Sequence, residues 1–315
     1  GKDKNMNPKT ARMIKLLATP EPHFLLPSAA PIIVGSALGF AVTGSFNPLL
    51  ATLAFISIVA LNAGSNMIND YYDHLSGNDW KNDNVTPFGG GSRYIQNGIV
   101  TPRAMLIAGL TSLTIGTCVG LAILLITKSL FIFILGILGV LGGFFWTAPP
   151  LKICYRFIGE PHIFIVFGLL PVYGAYYLQS FQLDLLPLIP SAILGLVIAM
   201  VAEINSFPDR FADAAVNKKT FVVRYGVNAG ITLYRIAITA SYLIAAGALF
   251  TTPVLRWGAA AYLLTLPLAI FALKSSSYNN LTTKGHTLAN KLTIILHSTC
   301  ALSQAAGYLS FYFFK

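Results

Sequence analysis

Charge is what this sequence has least of. Of its 315 residues only 10% are Asp, Glu, Lys or Arg, against 55% hydrophobic, whereas a soluble domain carries about 25% charged residues. That scarcity excludes an ordinary water-soluble fold and marks an integral membrane protein, whose length is measured in spans of about 20 residues each. Cysteine is sparse too: Cys118, Cys154 and Cys300 form no CxxC pair, so no disulfide framework is expected. The five histidines show no metal-ligand spacing. The opening run Gly1-Lys2-Asp3-Lys4-Asn5 has no apolar core, so no cleaved signal peptide is expected and the first span is expected to direct insertion. The period-two alternation of a β-barrel is missing as well, which leaves helices as the structures able to satisfy the backbone in lipid.

What is present is nine apolar segments, at about 24–43, 48–70, 102–126, 129–147, 161–179, 184–205, 227–250, 253–273 and 287–313. They predict an all-α, polytopic membrane protein of about nine spans in a single domain over 1–315. Its polar parts are an N-terminal segment, 1–22, and two long loops at 71–101 and 206–226. The net charge of +10 does not require nucleic acid, because cytoplasmic loops of membrane proteins carry excess Lys and Arg. Of the 21 Lys and Arg, 17 lie in one alternating set of loops, which includes the N-terminus. The positive-inside rule makes that set cytoplasmic and puts the C-terminus outside. Of 11 acids, only Asp184 belongs to the other side. Acids contribute little to orientation, so another requirement gathers them there, and long loops of this kind tend to be functional.

The acids are not scattered. Asn66, Asn69, Asp70 and Asp73 fall at helical offsets 0, 3, 4 and 7, one face of a helix, with Asn62 a turn earlier. Polar side chains at membrane depth are costly and mark functional sites. The sixth segment ends in an echo, Asn205-x-x-x-Asp209 followed by Asp213, where Pro208 either kinks the helix or starts a new one. Two such clusters suit Mg²⁺, a hard cation that takes a few carboxylates and completes its shell with phosphate oxygens. The alternative is helix-end carboxylates paired with nearby Lys and Arg. In the same set of loops stand Lys152, Arg156, Lys218, Lys219, Arg224 and Arg93, and metal plus Lys/Arg is the recurring way to hold a diphosphate leaving group. Gly89-Gly90-Gly91 reads as a lid, a nest of amides for phosphate, or only a turn. An allylic donor would need water excluded from its carbocation. Phe144, Phe145, Trp146, Tyr173, Tyr176 and Tyr177 are candidates to shield it, though ordinary packing explains aromatics equally well. A transporter is the rival class, but it places its polar residues near the midplane, whereas these crowd one surface.

From about residue 20 to 313 the sequence resembles the UbiA superfamily of intramembrane prenyltransferases. The carrying residues are Asn66-x-x-x-Asp70-x-x-Asp73 with Gly77-x-Asp79, Gly89-Gly90-Gly91-Ser92-Arg93, Trp146-Thr147-Ala148-Pro149-Pro150-Leu151-Lys152-x-x-Tyr155-Arg156, and Asn205-x-Phe207-Pro208-Asp209-x-x-x-Asp213 running on to Lys218-Lys219-Thr220 and Arg224. The resemblance implies helices around a central cavity capped by cytoplasmic loops. It also implies Mg²⁺-dependent transfer of a polyprenyl group from a prenyl diphosphate, geranylgeranyl or longer, to an aromatic acceptor. Under it, Asp70, Asp73, Asp209 and Asp213 hold the metal with Asn66 and Asn205, and Asp79 is a further candidate. Lys152, Arg156, Lys218, Lys219, Arg224 and Arg93 stabilise the diphosphate, and Glu203 and Tyr155 are candidates to deprotonate the acceptor. The motif spelling is most similar to the branch acting on 1,4-dihydroxy-2-naphthoate in menaquinone synthesis, in a prokaryotic plasma membrane. Trp146 stands where that branch usually has Tyr and Ser206 where it often has Glu, and both bear on the acceptor. Hydroxybenzoate, homogentisate, a porphyrin or a glyceryl lipid phosphate are the alternative acceptors.

Overall fold

The computed structural model describes residues 25–315; the expected N-terminal segment 1–22 lies outside them. The described residues form helices, with one isolated bridge between Thr86 and Gly89 in place of any strand. The long elements are α1 (Leu25–Thr43), α2 (Pro48–Ser76), then a short α3 (Asn78–Lys81), α4 (Pro102–Thr127), α5 (Leu130–Phe145), α6 (Gly159–Ser180) and α7 (Leu188–Ala215). After them come a short α8 (Phe221–Tyr225), α9 (Val227–Ala248), α10 (Pro253–Leu263), α11 (Leu266–Ser275), a short α12 (Tyr278–Thr282) and α13 (Leu288–Phe314).

Six of these, α1, α2, α4, α6, α7 and α9, are long and apolar enough to cross a membrane. The pair α10–α11, bent by 49° at Leu264 and Thr265, makes a seventh if counted as one span. The two remaining expected spans differ in kind. α5 has 16 residues, about 24 Å at 1.5 Å per residue, which is shorter than the usual hydrocarbon core. α13 has 27 residues, but Asn290, His297 and Gln304 are buried along it and dilute its hydropathy.

Local chemistry explains the starts and stops. Asn47, Thr101 and Ser129 accept from backbone N–H groups at the starts of α2, α4 and α5, satisfying donors that a helix start leaves unpaired. Gly77, at φ 78°, ends α2 in the left-handed conformation that glycine adopts without penalty. α7 is buried on most of its faces, as expected of a central helix apolar nearly all round. Around it α9, α10 and α13 are tied by buried hydroxyl bonds, Tyr234 to Thr293 at 2.7 Å and Ser241 to Tyr262 at 2.8 Å. α4 lies close along α2, where a Cβ on Gly64 would meet the Gly109 carbonyl oxygen at 2.8 Å, the small-residue contact typical of membrane helices.

Two boundaries differ from the sequence expectation. α2 continues to Ser76 and α7 runs through Pro208 to Ala215, past the expected ends at 70 and 205, so Asp70, Asp73, Asp209 and Asp213 all lie on these two helices. A carboxylate near a helix C-terminus opposes the helix dipole; the contacts below offset that cost.

Candidate active site

The ends of α2 and α7 are joined through α3 and Lys218, with the 82–93 loop and the 152–155 turn beside them. Asn78 Nδ2 donates to Asp213 Oδ1 at 2.8 Å, and Asn82 Nδ2 to Asp209 Oδ1 at 2.7 Å. Lys218 Nζ stands 3.0 Å from Asp73 Oδ2 and 3.7 Å from Asp213 Oδ1. It thus bridges the two motifs, which are separated by well over a hundred residues. The Tyr155 hydroxyl hydrogen-bonds Asp73 Oδ1 at 2.8 Å and Ser76 Oγ at 2.7 Å, and its ring lies 5.3 Å below the Lys218 ammonium.

The glycine run threads between the carboxylates. Gly90 N donates to Asp209 at 3.2 Å, and the Ser92 hydroxyl and amide both donate to Asp70. Gly90 and Gly91 have φ of 89° and 70°. A Cβ on Gly89 would meet both Asp209 oxygens at 2.8 Å, and one on Gly91 would meet Asp79 at 2.9 Å and Asp70 at 3.0 Å. Glycine is therefore needed here for close approach as well as for φ. The Gly90 and Ser92 amides thus face aspartates, while the Gly89 amide donates to the Thr86 carbonyl. Arg93 Nη1 donates to the Asp79 carbonyl.

Asp70, Asp73, Asp79 and Asp213 are buried, and Asp209 is half-buried. The crowding shows in their titration. Burial first, then the carboxylates of Asp73 and Asp70 with Asp209, pushes Asp79 up to about 8, against the pull of Lys218. Burial disfavours the charged form of Lys218, yet Asp73 and Asp213 overcome it and hold the ammonium well above its usual range. Burial also drives the Tyr155 hydroxyl upward, with Asp73 adding to it.

Among the described residues, no three carboxylate, imidazole or thiol groups are placed to hold one metal ion as they stand. Their oxygens are turned to the amide, hydroxyl and ammonium donors just named. The donor chemistry still fits a hard divalent cation: five carboxylates crowd one place with Lys218 among them, an excess of negative charge that a cation would relieve.

The remaining expected residues divide. Asn66 is half-buried one turn before Asp70. Asn205 Oδ1 accepts from Asn290 Nδ2 at 2.8 Å. Lys152 lies 5.5 Å over the Tyr155 ring. Arg156, Lys219 and Arg224 are exposed: Arg156 Nε donates to the Leu151 carbonyl, the Lys219 amide to that of Tyr155, and Arg224 stacks 4.3 Å over Phe157. Glu203, two residues before Asn205 and so about 200° around the helix, faces Gly230 and Glu160, away from the cluster. Tyr176 bonds Asp184 at 2.7 Å, and Tyr177 packs on Phe131 and Phe181, toward the opposite end. Asn78, Asn82 and Asn290 had no distinguishing signal in the sequence, and Ser92 stood in a motif without a role of its own. Isolated amides and hydroxyls are common, and only folding brings them to the aspartates.

Beside Asn62, one turn before Asn66, begins an apolar groove of about 970 Å³ counting its mouth. It is lined by α1, α2, α4, α5 and α6, and Asn62 itself donates to Ser28 at 2.6 Å. Ala54, Ile123, Ile132 and Leu178 of its lining belong to one buried apolar cluster with Leu50.

The chain is similar to known proteins. The model of the UbiA prenyltransferase family matches residues 28–298. A 1,4-dihydroxy-2-naphthoate octaprenyltransferase of Haemophilus influenzae is 30% identical over 257 residues, 79% of this chain and 81% of that one. The Escherichia coli protein of the same name is 34% identical over 206 residues, 64% of this chain; the alignment spans 65% of its own length, just under two thirds. The structure of a UbiA homolog from Archaeoglobus fulgidus, solved with DMAPP and Mg²⁺, superposes with a TM-score of 0.71 at 15% identity, covering 96% of this chain and all of that one. Fold, sequence match and the two facing aspartate motifs agree, and the chain belongs to the UbiA prenyltransferase family of enzymes.

Proposed function

We propose that the protein transfers a polyprenyl group from a prenyl diphosphate, geranylgeranyl or longer, to an aromatic acceptor, 1,4-dihydroxy-2-naphthoate, with Mg²⁺ as cofactor. The observation that carries this reading is the cluster of Asp70, Asp73, Asp79, Asp209 and Asp213 around Lys218 near the start of an apolar groove. It suits a ligand with a polyanionic head and an apolar tail. The names of the relatives support the acceptor and the two-substrate chemistry.

In this reading Asp70, Asp73, Asp209 and Asp213 hold Mg²⁺, assisted by Asp79 and Asn66. The bound ion would neutralise the diphosphate and make it a better leaving group. Lys218 and Lys152 face the diphosphate from the 152–155 side. Arg93 adds charge from the loop, while Arg156, Lys219 and Arg224 make the surrounding surface positive. The tail lies in the groove, and the loops over α2 and α7 exclude water from the carbocation. The C–O bond to diphosphate breaks, a C–C bond forms to the acceptor ring, and the naphthoate carboxylate leaves as CO₂ in place of a ring proton. Tyr155, on Asp73 and beside Lys218, lies nearer the cluster than Glu203. α5 and α13 complete nine spans in a prokaryotic plasma membrane, with the aspartate end cytoplasmic and the C-terminus outside.

The test is the detergent-solubilised protein with Mg²⁺, geranylgeranyl diphosphate and a panel of acceptors, products read by mass spectrometry. Prenylated, decarboxylated naphthoate is expected. Product from hydroxybenzoate or homogentisate alone would replace the acceptor, and full diphosphate release by Asp70→Ala or Asp209→Ala would remove the metal assignment.

A further inference from the structure

α7 passes through Pro208 without a break, although proline has no N–H to give the carbonyl four residues earlier. That carbonyl belongs to Ile204. It is met by the Asn290 side chain of α13, whose Nδ2 donates to it at 3.2 Å. Asn290 is 1% exposed, so its amide is held in an interior where an unmade bond is costly. Its Nδ2 also donates to Asn205 Oδ1 at 2.8 Å.

These two bonds resolve an ambiguity. An amide side chain can present either its oxygen or its nitrogen, and the network must decide. A backbone carbonyl only accepts, so Asn290 has to present its NH₂ to Ile204. The second N–H of that group then reaches Asn205, which has to answer with oxygen. Asn205 sits on the α7 face that carries Asp209 one turn later. Its oxygen is turned toward Asn290 with one lone pair taken there, and the group it directs away from Asn290 is its own NH₂.

We infer that Asn290 is a positioning residue, and that Asn205 acts as a hydrogen-bond donor to the diphosphate, not as a metal ligand. The inference rests on the reading that a metal-bound diphosphate occupies this site. It also gives Pro208 a purpose. By removing one backbone donor, the proline creates the acceptor that fixes Asn290 and, through it, Asn205.

Substitution at 205 separates the two roles. A carboxylate is a better ligand than an amide for a hard cation, but it repels an anion and has no proton to give. Binding of inorganic pyrophosphate to the full chain in detergent, at saturating Mg²⁺, is measured by calorimetry without turnover. Asn205→Asp is expected to weaken it by about tenfold or more, the loss of one hydrogen bond to a charged group. Asn290→Asp, which would draw the Asn205 NH₂ toward itself, is expected to weaken pyrophosphate binding to a similar degree with position 205 untouched. Asn290→Leu is expected to lower both thermal stability and affinity. Adding Pro208→Ala, which returns the helical donor to Ile204, should recover stability relative to Asn290→Leu alone and leave affinity low. A purely structural Asn290 would recover both, which overturns the positioning role. Pyrophosphate binding by Asn205→Asp as tight as wild type, or tighter, overturns the donor role. If wild type itself binds no pyrophosphate with Mg²⁺, the diphosphate site fails; if wild type binds and the variants match it, only this inference does.

Discussion

Lys218→Met isolates the electrostatics of the site. Its Nζ lies 3.0 Å from Asp73 and 3.7 Å from Asp213, with 13% of the lysine side chain exposed and 5% and 3% of the aspartates. At an effective dielectric of about 20 the two attractions are about 5.5 and 4.5 kcal/mol before desolvation. Desolvation of the ammonium cancels much of this, and measured losses for removing one partner of a buried pair run about 3–5 kcal/mol. Methionine keeps the length of the stem and deletes the charge. In EDTA the variant is therefore expected to lose about 3–5 kcal/mol of stability, read as an earlier unfolding midpoint in detergent. Added Mg²⁺ should restore much of that loss, because a cation bound to the aspartates replaces the missing charge and stabilises the folded state by mass action. Equal midpoints for variant and wild type in EDTA would refute the buried bridge. An unrepaired loss at saturating Mg²⁺ would refute the fit of these aspartates to the ion.

Two further outcomes follow from the same geometry. Asp79, pushed up to about 8 by burial and neighbouring carboxylates, keeps its proton in the folded state at pH values where the unfolded chain has lost it. The Asp79 contribution to the stability of the metal-free protein should then fall as pH rises from about 4 to about 8 and level off above. Asp79→Asn should flatten that slope, and equal slopes across a pH series of thermal midpoints would remove the assignment. In the groove, a Cβ on Gly139 meets nothing within 4 Å, and leucine favours helix over glycine. Gly139→Leu should fold, fill the groove and raise KM for geranylgeranyl diphosphate about tenfold, as if about two methylene groups lost their burial. The KM for dimethylallyl diphosphate should stay within about twofold on the same grounds; parallel loss of both donors would place the tail elsewhere.

Much of the architecture was legible because lipid leaves few choices. Apolar runs and the need to satisfy every backbone group announce helices, and the offsets of Asn66, Asp70 and Asp73 announce a polar face before any fold is known. Legibility stopped where partners are distant in the chain. Lys218, Lys219 and Arg224 look interchangeable as a basic run, yet one is inserted between Asp73 and Asp213 and the other two are exposed. Residues i and i+1 on a chain reversal point in different directions, and the pattern of charge alone does not say which way. Asp79 was a weaker candidate than the motif aspartates, but burial beside them makes it one of the most perturbed groups of the site. Pro208 read equally as kink or restart, and the answer came from Asn290, 82 positions on.

The sequence by itself determined the solvent, the helical class and the two aspartate-bearing stripes, because hydropathy and helical period are local properties. Tertiary structure decided which cation enters the carboxylate cluster, which amide Asn290 meets and where the apolar groove begins. Those are matters of which distant segments come together, and in a folded chain that is set by packing around α7, whose own motif lies well over a hundred residues from the one on α2.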